Sequence, residues 1–401
     1  MEMRPILSAL LRNRAGALLV AIQIAITLAI VVNAVYLTQV RVSKIGRPSG
    51  IDDQNIFSLS STGFDKGFDF HAMVRDDMAL LRQLPGVIDA APIRQVPLSG
   101  GGSSSGFYSL PDKKGKDSPA NYFPTDEHGV NALGVTLSGG STFDPNVVEH
   151  KNEDGQVPPP AAIVSQGFAT ALFPGENALG KTFYDDQSNP IKITGVIQHM
   201  HGSWVGWDKV DRVILMPRVG PGPGARYIVR TAPGELDRVM TVTETALRKR
   251  DPNRVIGKLR KMMDDKRRSY AGDSLVAVTL SVVTGLVLIF SSLGIFGLAT
   301  FNVNTRTRQI GTRRAVGARR RDIVRYFMTE NWFITTLGVL TGCGLALAAG
   351  FWLSTQFQLP RLELIYLIIG VIGLWIVGQL AAWQPSLKAA KVSPAMATRS
   401  V

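Results

Sequence analysis

Four stretches of this chain carry no charged side chain and are each about twenty residues or longer: residues 15–37, 274–301, 332–352 and 364–383. A helix needs about 20 apolar residues to cross a ~30 Å hydrocarbon core. All four reach that length, so the chain is expected to cross a membrane four times. Residues 38–273, between the first and second spans, are ordinary mixed sequence and are expected to fold outside the bilayer as one large domain.

Charge gives the orientation. The net charge is +13. Most of the excess lies in three short segments: the N-terminus (Arg4, Arg12 and Arg14 against Glu2), the loop between spans two and three, and the tail (Lys388, Lys391, Arg399). The loop alone holds Arg306, Arg308, Arg313, Arg314, Arg319, Arg320, Arg321 and Arg325. Short Lys/Arg-rich loops stay on the cytoplasmic side. Residues 1–14, 302–331 and 384–401 are therefore expected in the cytoplasm, and residues 38–273 and 353–363 on the far side. The basic excess reads as membrane topology and contact with anionic lipid, not as a nucleic-acid-binding surface.

The single cysteine, Cys343, lies in the third span, so the exported domain has to be held by its own core. The first apolar run is longer than a signal-peptide h-region and no A-x-A site follows, so it is expected to be a retained anchor. None of the spans contains Asp, Glu, Lys, Arg or His. That argues against an ion-coupled path through the bilayer. In the third span Gly338, Gly342, Ala346 and Gly350 recur every four residues, a small-residue face for close helix packing, either within the chain or across a dimer. Ser281/Gly285 and Gly294/Gly297 in the second span are similar.

In the large domain, residues 54–60 and 87–97 read as strands around a helix at 70–84. Residues 99–106 (SGGGSSSG) read as a flexible loop leading into an inserted part. Within the insert, 161–173 reads as a short helix, and 191–198 and 212–216 as strands. A second glycine–proline run (220–224, GPGPG) closes it. A strand at 225–231, a helix at 235–249 and a strand at 255–259 then return to the first pattern. Residues 258–268 (KLRKMMDDKRR) form a charged run into the second span.

Three motifs suggest chemistry. Residues 175–182 (GENALGKT) satisfy G-x-x-x-x-G-K-[ST], but a phosphate loop needs a strand before it and a helix after it. Here a helix-like run precedes, strands follow, and the segment lies on the exported side. His199 and His201 form H-x-H with no third metal ligand near in sequence, beside Trp204 and Trp207, which offer a contact surface. No set of carboxylates, Ser/His/Asp or Cys/His has catalytic spacing. No metal site is expected.

The arginine-rich loop reads TRTRQIGTRRAVGARRRDIVRYFMTE. It resembles the signature of the MacB/FtsX family of ABC-transporter permeases, an R-x-R-E-I-G-x-x-R-A-x-G-A run before the third span. The matching residues are Arg306, Arg308, Ile310, Gly311, Arg314, Ala315, Gly317 and Ala318, followed by Ile323, Phe327 and Glu330; Gln309 stands where the family has Glu. The tail also resembles that family, at Pro385, Lys388, Ala389, Ala390, Pro394, Ala395, Ala397 and Arg399, with the proline closing the last span.

The resemblance implies an α-helical membrane protein of the bacterial inner membrane with four transmembrane helices and a large α+β periplasmic domain. That domain would comprise a split porter-like subdomain (38–98 and 225–257), an inserted subdomain (107–224) and a stalk (257–273) running unbroken into the second span. The eight loop residues from Arg306 to Ala318 would couple to an ABC ATPase on another chain, which binds the ATP. No cofactor is expected in this chain, and no room for an ATPase domain precedes the first span. Further implied partners are a second permease copy or homologue and, for efflux, a periplasmic adaptor and an outer-membrane channel. The family also includes lipoprotein-releasing LolC/LolE-like permeases and FtsX-like regulators of a periplasmic partner, so these alternatives stand beside efflux.

Overall fold

A computed structural model of the chain describes residues 14–64, 69–149, 159–220, 224–251, 253–357 and 360–393. Residues 1–13, most of the GPGPG run, and Pro394, Ala395, Ala397 and Arg399 of the tail lie outside the described residues. The chain divides into two compact units, one of Met1–Gly46 with Asp273–Val401 and the other Arg47–Gly272.

The first unit is helical. Arg14–Ile45 (α1), Ala271–Thr305 (α7), Arg320–Phe357 (α9) and Leu364–Ala390 (α10) are long and apolar enough to cross a membrane. Their apolar residues lie all round rather than on one stripe, as a helix surrounded by hydrocarbon requires. Because lipid is as apolar as leucine, packing among such helices rests on close fit and hydrogen bonds. The small-residue face of α9 supplies the fit, against α1. A Cβ on Gly338 would lie 2.7 Å from the Ala21 carbonyl oxygen, and one on Gly342 would lie 3.0 Å from Ala25 Cα. Ala346 is buried, and its carbonyl accepts from Asn33 Nδ2 at 3.1 Å. A Cβ on Gly350 would meet Asn33 Oδ1 at 3.0 Å. Asn331 Nδ2 donates to the Gly378 carbonyl at 3.0 Å and fastens α9 to α10.

In α7, Gly294 faces Gln23, while Gly285 and Gly297 have open space where a Cβ would stand. Asp273 near its start pairs with Arg41 (2.5 Å) and Lys44 (3.1 Å) at the end of α1. The family's tail proline does not close the last span: α10 continues through Pro385 to Ala390. A proline removes one backbone donor, and neighbouring hydroxyls can serve the carbonyls it disturbs. Ser386 Oγ donates to the Ala382 carbonyl there at 2.7 Å.

The second unit holds two sheets. Ile56–Gly63 (β1), Val87–Pro92 (β2), Gly224–Thr231 (β10), Arg254–Ile256 (β11) and Arg260–Lys261 (β12) form the first, in the order β11–β1–β10–β2 with β12 also paired to β1. Phe70–Gln83 (α2) and Leu236–Arg250 (α5) cover one face and bury Met78, Leu81, Val239 and Leu247. A buried polar network joins strands and helices on that face. Arg254 Nη1 reaches both Asp77 carboxylate oxygens at 2.7 Å, Arg254 Nη2 donates to the Leu247 carbonyl at 2.8 Å, and Tyr227 Oη donates to Asp77 at 2.8 Å.

The second sheet is the insert. Ser104–Leu110 (β3), Lys114–Thr125 (β4), Leu137–Gly140 (β5), Ala161–Ser165 (β6), Thr182–Tyr184 (β7), Pro190–Ile197 (β8) and Val213–Pro217 (β9) run in the order β5–β8–β6–β9–β4–β3–β7. β7 also pairs with β8 and so closes the sheet on itself. Gly129–Leu133 (α3) follows β4, and Gln166–Leu172 (α4) follows β6. Phe107, Phe168 and Phe183 meet edge to face in its core, with ring centroids 5.3–5.9 Å apart.

Two further expectations are corrected here. Residues 161–173 are not one helix but strand β6 followed by α4, with Ser165 Oγ accepting the Phe168 N–H to start the helix. All five residues of β6 are buried, so the alternation that marks a half-exposed strand is missing. The stalk is not unbroken from residue 257 to 301. Residues 260–261 pair with β1, Met262–Ser269 (α6) forms a short helix, and Tyr270 (φ −91°, ψ 2°) separates α6 from α7. Main-chain pairing to β1 outweighs the helical preference of the charged run.

Candidate functional site

The arginine-rich signature folds as one short helix, Thr307–Ala315 (α8), a tight turn, and the start of α9. The turn explains Gly317. The Ala318 N–H reaches the Arg313 carbonyl and the Gly317 N–H the Arg314 carbonyl, each at 3.1 Å, the paired bonds of a Schellman cap. That cap needs a left-handed residue just past the helix, and Gly317 has φ +104°. Asp322 Oδ2 accepts the Arg319 N–H at 2.9 Å and caps the first turn of α9.

The signature residues divide between two faces. Inward, Arg306 Nη1 donates to both carboxylate oxygens of Glu330 of α9, at 3.0 and 2.9 Å, the side chains 15 % and 5 % exposed. Ile310 is buried with Val303, Ile323, Phe327, Ala389 and Ala390, and Gly311 is buried beside it. Arg314 Nη1 donates to the carbonyls of Ala390 (3.0 Å) and Val392 (2.9 Å), the orphan acceptors at the end of α10. Ala318 is half-buried against the same cluster. Outward, Arg308, Gln309, Thr312, Ala315 and Gly317 are exposed, and Val316 is 85 % exposed. Arg313 lies over the Tyr326 ring, 4.6 Å from its centroid.

Sequence reasoning treated the eight residues as one surface; the fold brings Arg306, Ile310, Gly311 and Arg314 against α9 and α10 and leaves Arg308, Ala315 and Gly317 free. It placed Glu330 in the signature without a partner, and it missed Val316. Glu330, an acid 24 positions from Arg306, closes the inner pair. Val316 is a large apolar side chain at the tip of a basic loop, and that mismatch was readable.

Two family models match the chain. The MacB-like periplasmic core domain covers residues 17–262, and the FtsX-like permease C-terminal domain covers residues 281–394, which includes α8 and its turn. The chain belongs to the MacB/FtsX-like permease family.

It is 28 % identical over 273 residues to the macrolide export ATP-binding/permease protein MacB of Rhodospirillum rubrum, covering 65 % of this chain and 40 % of that protein. It is 25 % identical over 344 residues to the pyoverdine export ATP-binding/permease protein PvdT of Pseudomonas entomophila, covering 81 % of this chain and 48 % of that one. The chain thus spans less than half the length of these relatives. The crystal structure of the periplasmic region of MacB from Actinobacillus actinomycetemcomitans is similar at 15 % identity and a TM-score of 0.35, over 56 % of this chain and 97 % of that one. Four apolar helices and a periplasmic core domain fit an inner-membrane permease.

The remaining motifs all fall within the MacB-like domain. In residues 175–182 the chain passes from α4 through Gly175 (φ +77°) and Gly180 (φ +81°) into strand β7, so no helix N-terminus follows the lysine. Lys181 instead pairs with Glu176 and lies over the Phe173 ring. Trp204 and Trp207 meet edge to face at 6.1 Å. The rings of His199 and His201 touch, centroids 4.8 Å apart, but differ in setting. His199 is half-buried and its Nε2 contacts the Pro48 carbonyl at 2.7 Å; His201 is 3 % exposed with no partner for Nδ1 among the described residues.

Burial, with smaller contributions from His199, Arg47 and Lys266, pushes the His201 pKa down to about 4. An unfolded histidine titrates near 6.5, so this neutral ring adds stability that is complete above about pH 6.5 and is lost as pH falls toward 4, about 3 kcal/mol in all. His201→Asn is expected to remove that slope. Denaturant titrations at pH 7, 5.5 and 4 check it: the gap between wild type and variant has to shrink as pH falls.

Proposed function

We propose that this chain is the membrane subunit of an ATP-driven export system, coupling an ABC ATPase on a partner chain to rearrangement of its periplasmic domain and so to expulsion of a substrate. The two-faced α8 carries the reading. Its inner face is fixed to α9 and α10 through Arg306, Ile310 and Arg314, so a force applied to α8 passes directly to two membrane-spanning helices. Its outer face presents arginine, a glutamine and the bare side chain of Val316.

A basic rim around one exposed apolar residue suits docking against a partner, since a small buried anchor with a charged surround is how interfaces concentrate their energy. The export ATP-binding/permease relatives support the kind of partner. In this reading α8, the N-terminus and the tail are cytoplasmic, ATP is bound by the partner and not by this chain, and a second permease copy completes the assembly. A periplasmic adaptor and an outer-membrane channel would extend the path.

Cross-linked affinity purification from native membranes tests this. The wild-type chain is expected to bring down an ABC ATPase. Val316→Asp and Gly317→Trp, both on the open side of the turn, are expected to reduce ATPase recovery by about tenfold while the chain still inserts. Undiminished recovery with both variants would overturn the assignment of this face.

A further inference from the structure

The face of the first sheet opposite α2 and α5 opens, beside α6, into a cleft of about 730 Å³. Side chains alternate across a strand. Tyr227 points toward α2 and Asp77, so its neighbour Arg226 points to the opposite, open side. Arg226 stands opposite Ser60 on β1, and Arg260 stands opposite Ser58 two residues along the same strand. Arg94 and Lys258 complete the rim. None of these four cations has a carboxylate partner among the described residues; the one acid lining the cleft, Asp265, is taken by Arg268.

The floor is a run of small polar groups, Ser99 to Ser103, bent by Gly100 at φ +79°. Gln95 lies beneath it, 6 % exposed. Its Oε1 accepts the Ser103 N–H, while its Nε2 has no partner among the described residues. A fold gains nothing from four like charges around one mouth. Clefts focus such a field on whatever enters. Arginine forks match phosphate oxygens, and serine hydroxyls and an orphan amide add donors without an acceptor's repulsion.

We propose that this cleft is a binding site for a phosphate-bearing anion with more than one negative charge, presented either by a lipid headgroup or by a soluble phosphate ester. Arg226 and Arg260 hold the charge from the sheet, Lys258 and Arg94 close over it, and Gln95 Nε2 supplies a donor from below. The site is independent of α8 and stands whichever partner docks there.

The test is calorimetric titration of the full chain, in phosphatidylcholine nanodiscs, with tripolyphosphate. Saturable binding at one site per chain is expected, weakening several-fold from low to physiological salt. Arg226→Gln with Arg260→Gln is expected to weaken it by about tenfold or more. Lys258→Gln, outside the strands, is expected to weaken it about threefold. Lys116→Gln, exposed and outside the cleft, is expected to leave it unchanged.

Repeating the titration in nanodiscs containing cardiolipin, whose headgroup carries two phosphates, distinguishes the sources. A headgroup occupant brings wild-type affinity down to that of the double variant, and a soluble occupant keeps the ratio between them. Absence of saturable binding in phosphatidylcholine, or equal affinities in wild type and both cleft variants, overturns the proposal.

Discussion

Glu330→Ala is expected to destabilise the helical unit by about 3–5 kcal/mol, because it leaves the Arg306 guanidinium buried with no counter-charge. Arg306 Nη1 reaches both carboxylate oxygens and the pair is nearly sealed from solvent, so little screening offsets the loss. A domain's whole margin is about 5–15 kcal/mol, so the variant is expected to unfold at a markedly lower temperature in detergent or fail to accumulate. The companion variant Arg306→Met with Glu330→Met removes both charges and is expected to regain most of that stability. It also separates two roles for Arg306. If the residue only holds α8 against α9, the double variant keeps ATPase recovery; if it also touches the partner, recovery falls while the melting temperature returns. A Glu330→Ala protein melting with the wild type would sink the account of the inner face.

Asp77→Ala is expected to cost the extramembrane unit about as much, about 3–5 kcal/mol, by stranding Arg254 and leaving the Tyr227 hydroxyl unserved. Both side chains of the Asp77–Arg254 pair are 1 % exposed. The network is also a fastener. Asp77 precedes the insert, and Tyr227 and Arg254 follow it, so the three hydrogen-bonded groups tie the two halves of the split subdomain together. Denaturant unfolding of the full chain, followed by the tryptophan signal and by far-UV circular dichroism, measures the loss. Replacing Asp77 and Arg254 together by leucine and methionine is expected to recover part of it. An unchanged midpoint in Asp77→Ala would show that the halves are held by their apolar core alone.

The spans were legible because nothing but a membrane or a very large core accommodates twenty charge-free apolar residues. The strands around Phe57 and Val229 and the helix ending at Gln83 were legible from alternation and punctuation. What escaped were places where local signals conflict. Residues 161–165 are apolar throughout, and such a short run reads equally as buried strand or helix. The segment before Tyr270 is rich in helix formers, yet residues 260–261 are drawn into pairing with β1, a contact that sequence alone does not reveal.

The signature loop was legible as a unit but not as two faces. Helical spacing places Arg306, Ile310 and Arg314 on one side, yet only the position of α9 and α10 makes that side the inside. Gly317 was marked by its motif, while its reason, the left-handed cap, lies in backbone hydrogen bonds.

The strand order of the split sheet also sets a schedule for synthesis. β10 lies between β1 and β2, so the two strands made first have no hydrogen bonds to each other and must wait for a partner emerging after residue 223. At ~5–20 residues per second the interval is on the order of ten seconds. During it the unsatisfied edges of β1 and β2 stand open while the insert is made, whose central strand β9 ends at Pro217, just ahead of β10 at Gly224. The nascent chain therefore passes through a stage in which its first-made strands stay unpaired until the whole insert has been synthesised, and that interval is when a holding chaperone would matter most.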